Sequence, residues 1–180
     1  MNDDARHEVL LGLGANLGEP LEQLSAAVRA LSAFVRVDAV SSVYRSEPVG
    51  YADQPDFYNV VVRGTTAMHP EALLDAARGV EEWLGRRRTF ANAPRTIDVD
   101  LLAYGTVVMR RDALTLPHPR LHLRGFVLHP LAEVAPDWTH PVLRRTAREL
   151  LSTAPALERV ERVGALPGPG APLAPARPPG

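Results

Sequence analysis

Ile97-Asp98-Val99-Asp100-Leu101-Leu102-Ala103-Tyr104, preceded by Pro94-Arg95, is an apolar run carrying two carboxylates at i and i+2. Its composition predicts a buried strand. Successive side chains of a strand alternate between faces, so Asp98 and Asp100 share one face and Val99 takes the other. Two neighbouring anions repel unless something neutralises them, and a hard divalent cation, a guanidinium or water can do so.

Outward from this strand the pattern repeats in alternating units. Val107-Val108-Met109 is the expected hairpin partner. Upstream, Gly85 closes a helix that begins near Pro70 and carries the stripe Leu73, Ala76, Ala77, Val80, Trp83 and Leu84. Residues 57–65 and 35–44 read as strands, separated by a turn-rich loop over 45–55. Gly18-Glu19-Pro20 opens a helix bearing Leu21, Leu24, Ala27, Val28 and Leu31, and residues 9–13 form the first strand. The expectation is an α+β fold, a ferredoxin-like βαββαβ antiparallel sheet with helices on its faces. Shorter helices are expected over 121–132 and 144–152. The domain expected is 9–165, after an extension at 1–8. Residues 167–180 hold six prolines and three glycines, so 166–180 is expected to be a disordered tail.

The 180 residues are 46% hydrophobic and 23% charged, with a net charge of −1, the balance of a soluble globular domain rather than a general polyanion binder. No apolar run approaches the ~20 residues of a membrane span. Met1-Asn2-Asp3-Asp4 lacks the basic-then-apolar order of a signal peptide. A cytoplasmic location is therefore expected, with neither membrane nor nucleic acid as partner. Cysteine is absent, which excludes disulfides and thiolate chemistry. All twenty basic residues are arginine, which excludes Schiff-base chemistry and the GxxxxGK[ST] phosphate loop. Phosphate would have to be held by guanidinium forks, backbone amides and metal.

Arg86, Arg87, Arg88 and Arg95 stand in one segment, with Arg110, Arg111, Arg120 and Arg124 further on. By themselves they are either a solvated basic loop or one side of a polyphosphate clamp opposite the aspartates. His118 and His122 have zinc-like spacing, but Pro119 interrupts a helix through both. Gly12-Leu13-Gly14-Ala15-Asn16-Leu17-Gly18 approaches the dinucleotide fingerprint with its third glycine displaced, so a tight strand-to-helix turn is the expected use of these glycines.

Taken together, these segments resemble 6-hydroxymethyl-7,8-dihydropterin pyrophosphokinase of folate biosynthesis. The resemblance rests on Gly12-x-Gly-Ala-Asn-Leu-Gly, Tyr44-Arg45-Ser46-Glu47-Pro48-Val49-Gly50, Asp53-Gln54-Pro55-Asp56-Phe57-Tyr58-Asn59 and Glu81 followed by Gly85-Arg86. Its most specific carriers are residues 94–102 and Leu116-Pro117-His118-Pro119-Arg120-x-x-x-Arg124-Gly125-Phe126. The resemblance implies transfer of the pyrophosphoryl group of ATP to the pterin's hydroxymethyl oxygen, with AMP released. It implies Asp98 and Asp100 as ligands of two Mg²⁺ ions, and Arg86 and Arg95 as catalytic arginines. Glu81, Arg88, Arg95, Leu101, Thr115, His118 and Arg124 would serve ATP. The pterin would lie between Phe57 and Phe126, with Ser46, Pro48, Val49 and Asn59 at its edge. A monomer is expected. Departures from the family pattern are Asn92 near a frequent tryptophan, Ala93 for glycine, Phe57 for tyrosine, Pro119 for tyrosine and Arg78 for glutamine.

Overall fold

Strand β1 (His7–Ala15) turns Val9, Leu11, Leu13 and Ala15 to one face of a sheet and Leu10, Gly12 and Gly14 to the other. The computed structural model describes residues 5–85, 91–92 and 94–167. The remainder of the expected tail, 168–180, lies outside the described residues, as do 1–4, 86–90 and 93.

The chain continues through α1 (Pro20–Leu31), β2 (Arg36–Val40), β3 (Val43–Ser46), β4 (Phe57–Thr66), α2 (Pro70–Trp83) and β5 (Asp98–Tyr104). It ends with β6 (Met109–Arg110), β7 (Thr115–Leu116), α3 (Gly125–Val134), α4 (Ala147–Ser152) and β8 (Val160–Gly164). β1 lies between β4 and β5 and pairs antiparallel with both. The sheet runs β5-β1-β4-β3-β8, with β2 also paired to β4. It is a mixed α/β fold with an antiparallel sheet covered by helices.

Each face of the sheet has its own core. Val9, Leu11, Leu13, Val60, Val62, Val99 and Leu101 pack against Leu24, Ala27 and Leu31 of α1 and Leu73, Ala77 and Val80 of α2. On the reverse face Leu10, Val61, Leu102 and Ala103 meet Leu128 and Leu131 of α3 and Leu150 of α4. Each fully buried leucine contributes about 1.5–3 kcal/mol by leaving water.

Several expectations are corrected. The strand over 35–44 is two strands, because Ser41 interrupts it. The Ser41 hydroxyl accepts from the Val61 N–H at 2.9 Å, and the Ser41 N–H donates to the Val61 carbonyl at 2.9 Å. Residues 107–109 do not pair with β5; a turn closed by the Val107 N–H on the Tyr104 carbonyl diverts the chain, and Met109–Arg110 pairs with Thr115–Leu116. The expected helix over 121–132 breaks at Arg124, whose extended backbone separates a 3₁₀ turn, Leu121–Leu123, from α3. The helix expected from 144 starts at Ala147, since Arg144 has φ 58° and Thr146 with Glu149 forms a capping box. Trp83 is not part of the buried stripe but 74% exposed, and Glu81 is buried in its stead. β1 takes in His7 and Glu8, so the extension at 1–8 is shorter than expected; at the other end Leu166 still packs on the first core. Gly12 and Gly14 are strand residues, and the turn into α1 falls to Gly18 at φ +61°.

Candidate active site

α3 covers the sheet beside Leu10 but not beside Gly12 and Gly14. Gly12 pairs with Asp100 and Gly14 with both Asp98 and Asn59, so the two glycines leave bare floor between β5 and β4. A cavity of about 260 Å³ opens there. A Cβ at Gly14 would lie 3.2 Å from Asn59 Oδ1.

β5 supplies Asp98 and Asp100 to one wall, as the i, i+2 spacing requires. Arg95 closes that wall, donating from Nη1 to Asp98 Oδ2 at 2.8 Å, with its guanidinium carbon 5.1 Å from the centre of the Phe57 ring. Opposite, α3 brings in Phe126, and the guanidinium carbon of Arg124 stands 5.5 Å from its ring centre. Both aromatic faces are thus in contact with cations. Ser46 and Val49 come from the end of β3 and the loop after it. Both N–H groups of the Asn59 amide are spent, on the Tyr44 carbonyl at 3.0 Å and the Ser46 hydroxyl at 2.9 Å. What Asn59 offers the cavity is its carbonyl oxygen.

The electrostatics follow from this crowding. Burial, reinforced by the charge of Asp98, pushes the Asp100 carboxyl up to about 7, with Arg124 pulling the other way. Burial likewise pulls the Arg124 guanidinium below its ordinary range, while Asp100 supports its charge. His118 is held down to about 4 by burial and then by Arg124. It enters as a neutral ring whose Nδ1 accepts from the Arg120 N–H at 3.1 Å.

Ser46, Val49, Phe57, Asn59, Arg95, Asp98, Asp100, Arg124 and Phe126 therefore line one cavity. Pro48, Glu81, Leu101, Thr115 and His118 are not among its lining residues. The Leu101 side chain lies in the first core, on the face of the sheet away from the cavity, which leaves only its backbone near the aspartates. Glu81 and the His118 segment guard the outer edge of β5: Glu81 Oε1 accepts from the Val99 N–H at 2.8 Å, and the His118 N–H donates to the Leu102 carbonyl at 2.8 Å. Thr115 belongs to β7, and Arg86 and Arg88 lie outside the described residues.

Arg120, one of the candidate clamp arginines, also lines the cavity; Gly12 and Gly14 as floor, and Glu47, Leu157 and Glu158 as wall, were not read from the sequence. The glycines did carry a signal: they recur at period two, out of phase with Val9, Leu11 and Leu13. Nothing in the local pattern at Leu157 or Glu158 marked them.

The donor set suits a hard divalent cation. Asp98 and Asp100 present carboxylate oxygens on one face, where burial and, after it, the Asp98 charge push the Asp100 carboxyl up to about 7, and a cation bound between the two would relieve that repulsion. Among the described residues no group of three or more His, Cys, Asp or Glu converges. Two carboxylates completed by phosphate and water is the mode in which Mg²⁺ is commonly held.

Residues 10–136 match the family model of 7,8-dihydro-6-hydroxymethylpterin-pyrophosphokinase. A 2-amino-4-hydroxy-6-hydroxymethyldihydropteridine pyrophosphokinase of Pseudomonas aeruginosa is 43% identical over 162 residues, covering 89% of this chain and 97% of the relative. One from Aquifex aeolicus is 37% identical over 141 residues, 78% of this chain and 88% of that one. The folic acid synthesis protein fol1 of Schizosaccharomyces pombe is 38% identical over 148 residues, which is 81% of this chain but 20% of the longer protein. Among solved structures, Plasmodium falciparum HPPK-DHPS with pterin and p-hydroxybenzoate superposes with a TM-score of 0.67 at 16% identity, over 84% of this chain and 44% of that one. That likeness speaks for the fold. No helix among the described residues is long and apolar enough to cross a membrane. This chain belongs to the 7,8-dihydro-6-hydroxymethylpterin-pyrophosphokinase family.

Proposed function

We propose that in this cavity the pyrophosphoryl group of ATP passes to the hydroxymethyl oxygen of 6-hydroxymethyl-7,8-dihydropterin, releasing AMP, and that Asp98, Asp100 and Arg95 carry the transfer. The observation behind this assignment is the pair of carboxylates gathered with the Arg95 and Arg124 guanidinium groups around a glycine floor, Arg95 paired to Asp98 on the same wall. A triphosphate needs cations on several sides, and phosphoryl-type transfer is catalysed chiefly by positioning and charge stabilisation.

In this reading Asp98 and Asp100 hold two Mg²⁺ ions, which supply charge neutralisation for the phosphates and acidify the attacking hydroxyl. Arg95, already ion-paired to Asp98, turns toward the transferring group as negative charge builds there, joined by Arg86. The Phe57 and Phe126 faces are released by their arginines to a flat heterocycle of like thickness. Asn59 Oδ1 accepts an N–H from the pterin's amide edge, with Ser46, Pro48 and Val49 beside it. Arg88, Arg124, His118, Thr115, Glu81 and the Leu101 backbone serve the nucleotide along the outer edge of β5. Attack is direct and in line, with no covalent enzyme intermediate, since the chain has no cysteine and the cavity lining presents no serine–histidine pair.

The order β5-β1-β4 with β2 and β3 outside supports a ferredoxin-like βαββαβ description, extended by β8. The catalytic unit is assigned to the domain expected over 9–165, widened to take in His7, Glu8 and Leu166, and to a monomer acting in the cytoplasm. The deciding assay is ATP-to-AMP conversion with and without the pterin alcohol. AMP release only with both substrates, lost in Asp98→Ala, supports the assignment; pterin-independent release or full activity in Asp98→Ala overturns it.

A further inference from the structure

The cavity has a wall that the family match does not reach. The match ends at residue 136, yet Leu157 and Glu158 line the cavity. Glu158 Oε1 accepts the backbone N–H of Phe126 at 3.2 Å, fixing the start of α3 where the aromatic ring leaves the backbone. A Cβ on the neighbouring Gly125 would lie 3.1 Å from the same oxygen and 3.4 Å from Val160 Cγ2, so glycine is what lets the C-terminal segment approach this closely.

The other side of the segment grips β3. β8 pairs Val160 with Ser46, the Glu47 N–H donates to the Arg159 carbonyl at 3.3 Å, and the Arg159 N–H donates to Glu47 Oε2 at 3.2 Å. Residues 158–160 therefore bridge Ser46, at the edge-reading side, to Phe126, at the stacking side. Leu157, 66% exposed, adds an apolar surface to the cavity lining.

We infer that Glu158 is a positioning residue for Phe126 and that Leu157 forms an apolar outer wall contacting the planar heterocycle, so that the C-terminal segment sets affinity for the pterin and not for the nucleotide. The inference rests on the functional reading above. A carboxylate is not required for the role, only an acceptor at the Phe126 N–H, so glutamine should substitute for Glu158 and alanine should not.

The test is steady-state AMP release by the full chain, varying pterin alcohol at saturating ATP and then the reverse. Glu158→Ala is expected to raise the pterin KM about tenfold, the loss of one hydrogen bond that holds Phe126 in place, with kcat and the ATP KM within about twofold of wild type. Glu158→Gln should restore the wild-type pterin KM. Leu157→Asp, at an exposed position that leaves the fold intact, should raise the pterin KM about fivefold by desolvating a charge against the ring. An unchanged pterin KM in Glu158→Ala and Leu157→Asp overturns the inference, as does a parallel rise in both KM values or failure of glutamine to rescue. A wild-type chain that releases no AMP overturns the functional reading and this one with it, a result distinguishable from active wild type with indifferent variants.

Discussion

Asn16 donates from Nδ2 to Gln54 Oε1 at 2.8 Å, and the two amides together hold three segments in register. Asn16 Nδ2 also reaches the Pro55 carbonyl at 3.0 Å, and its Oδ1 accepts the Arg95 N–H at 3.0 Å. Gln54 in turn donates to the carbonyls of Tyr51 at 2.7 Å and Asn92 at 2.9 Å. The Asn16 and Leu17 N–H groups complete the grip on the Arg95 carbonyl. Asn16 is 4% exposed, so each bond made by its own side chain replaces water that cannot return easily.

Removing the hub should therefore cost more than removing its outer partner. Asn16→Ala strips three side-chain hydrogen bonds and orphans the Arg95 N–H; about 2–4 kcal/mol of stability should disappear in denaturant unfolding. Gln54→Ala leaves Asn16 its bonds to Pro55 and Arg95 and should cost only about 1 kcal/mol. Because Arg95 is positioned by this hub, kcat should fall in the same order. Equal destabilisation by the two variants would show that Asn16 is not the hub.

Gly14 makes the second case. The strand backbone there tolerates any residue, so substitution acts through space and not strain. Gly14→Ala places a methyl 3.2 Å from Asn59 Oδ1, the oxygen that faces the cavity, and should weaken pterin binding with little change in melting temperature. Gly12→Ala meets only the Leu102 side chain, at 3.3 Å, and no group assigned to the pterin, so it should disturb binding less. Calorimetric titration with the pterin ranks the two; a Gly14 variant that binds normally removes Asn59 Oδ1 from recognition.

The second core supplies a third. Tyr44 donates to Glu133 Oε2 at 2.7 Å, while Ser42 gives Glu133 Oε1 its N–H at 3.0 Å and its hydroxyl at 2.8 Å, so α3 is tied to β3 by one carboxylate. Burial and the Glu133 bond raise the Tyr44 hydroxyl to about 12. Tyr44→Phe should cost about 1 kcal/mol in chemical denaturation. Glu133→Ala, which orphans the Ser42 N–H as well, should cost more. A Tyr44→Phe variant as stable as wild type would mean the tyrosine hydroxyl contributes nothing to the join.

These networks mark the boundary of what was legible in the chain. Asp98 and Asp100 share a face because strand alternation leaves no other choice, and the helices at 20 and 70 announce themselves through proline at N1 and apolar spacing. The break at Ser41 was not legible, because it depends on Val61 and on Glu133 arriving from α3. Glu81 reads as a polar helix residue until β5 presents the Val99 N–H beside it. Glu158 was not legible for the same reason: its partner, the Phe126 N–H, is remote in sequence, as is the Glu47 that holds the adjoining Arg159. Local period locates elements; pairing between distant segments shapes the pocket.

The two shifted groups beside the cavity make the last prediction, because their pH dependences oppose. Asp100 titrates at about 7 in the fold against 3.8 in the unfolded chain, so the folded state holds the extra proton. Its contribution to stability is whole below pH 3.8 and is lost as pH rises through 7. His118 titrates at about 4 against 6.5, so here the unfolded chain holds the extra proton, and its contribution is whole above pH 6.5 and lost as pH falls through 4. The windows nearly coincide, so metal-free wild type should show a nearly flat stability between pH 4 and 7. Asp100→Asn should unmask the histidine, with stability falling by about 1–2 kcal/mol toward pH 4. His118→Gln should unmask the aspartate and tilt the profile the opposite way by a similar amount. Urea unfolding in chelator at half-unit pH steps reads both slopes. Variants that tilt in the same direction, or a steep wild-type profile between two flat ones, would contradict the assignment of these charges.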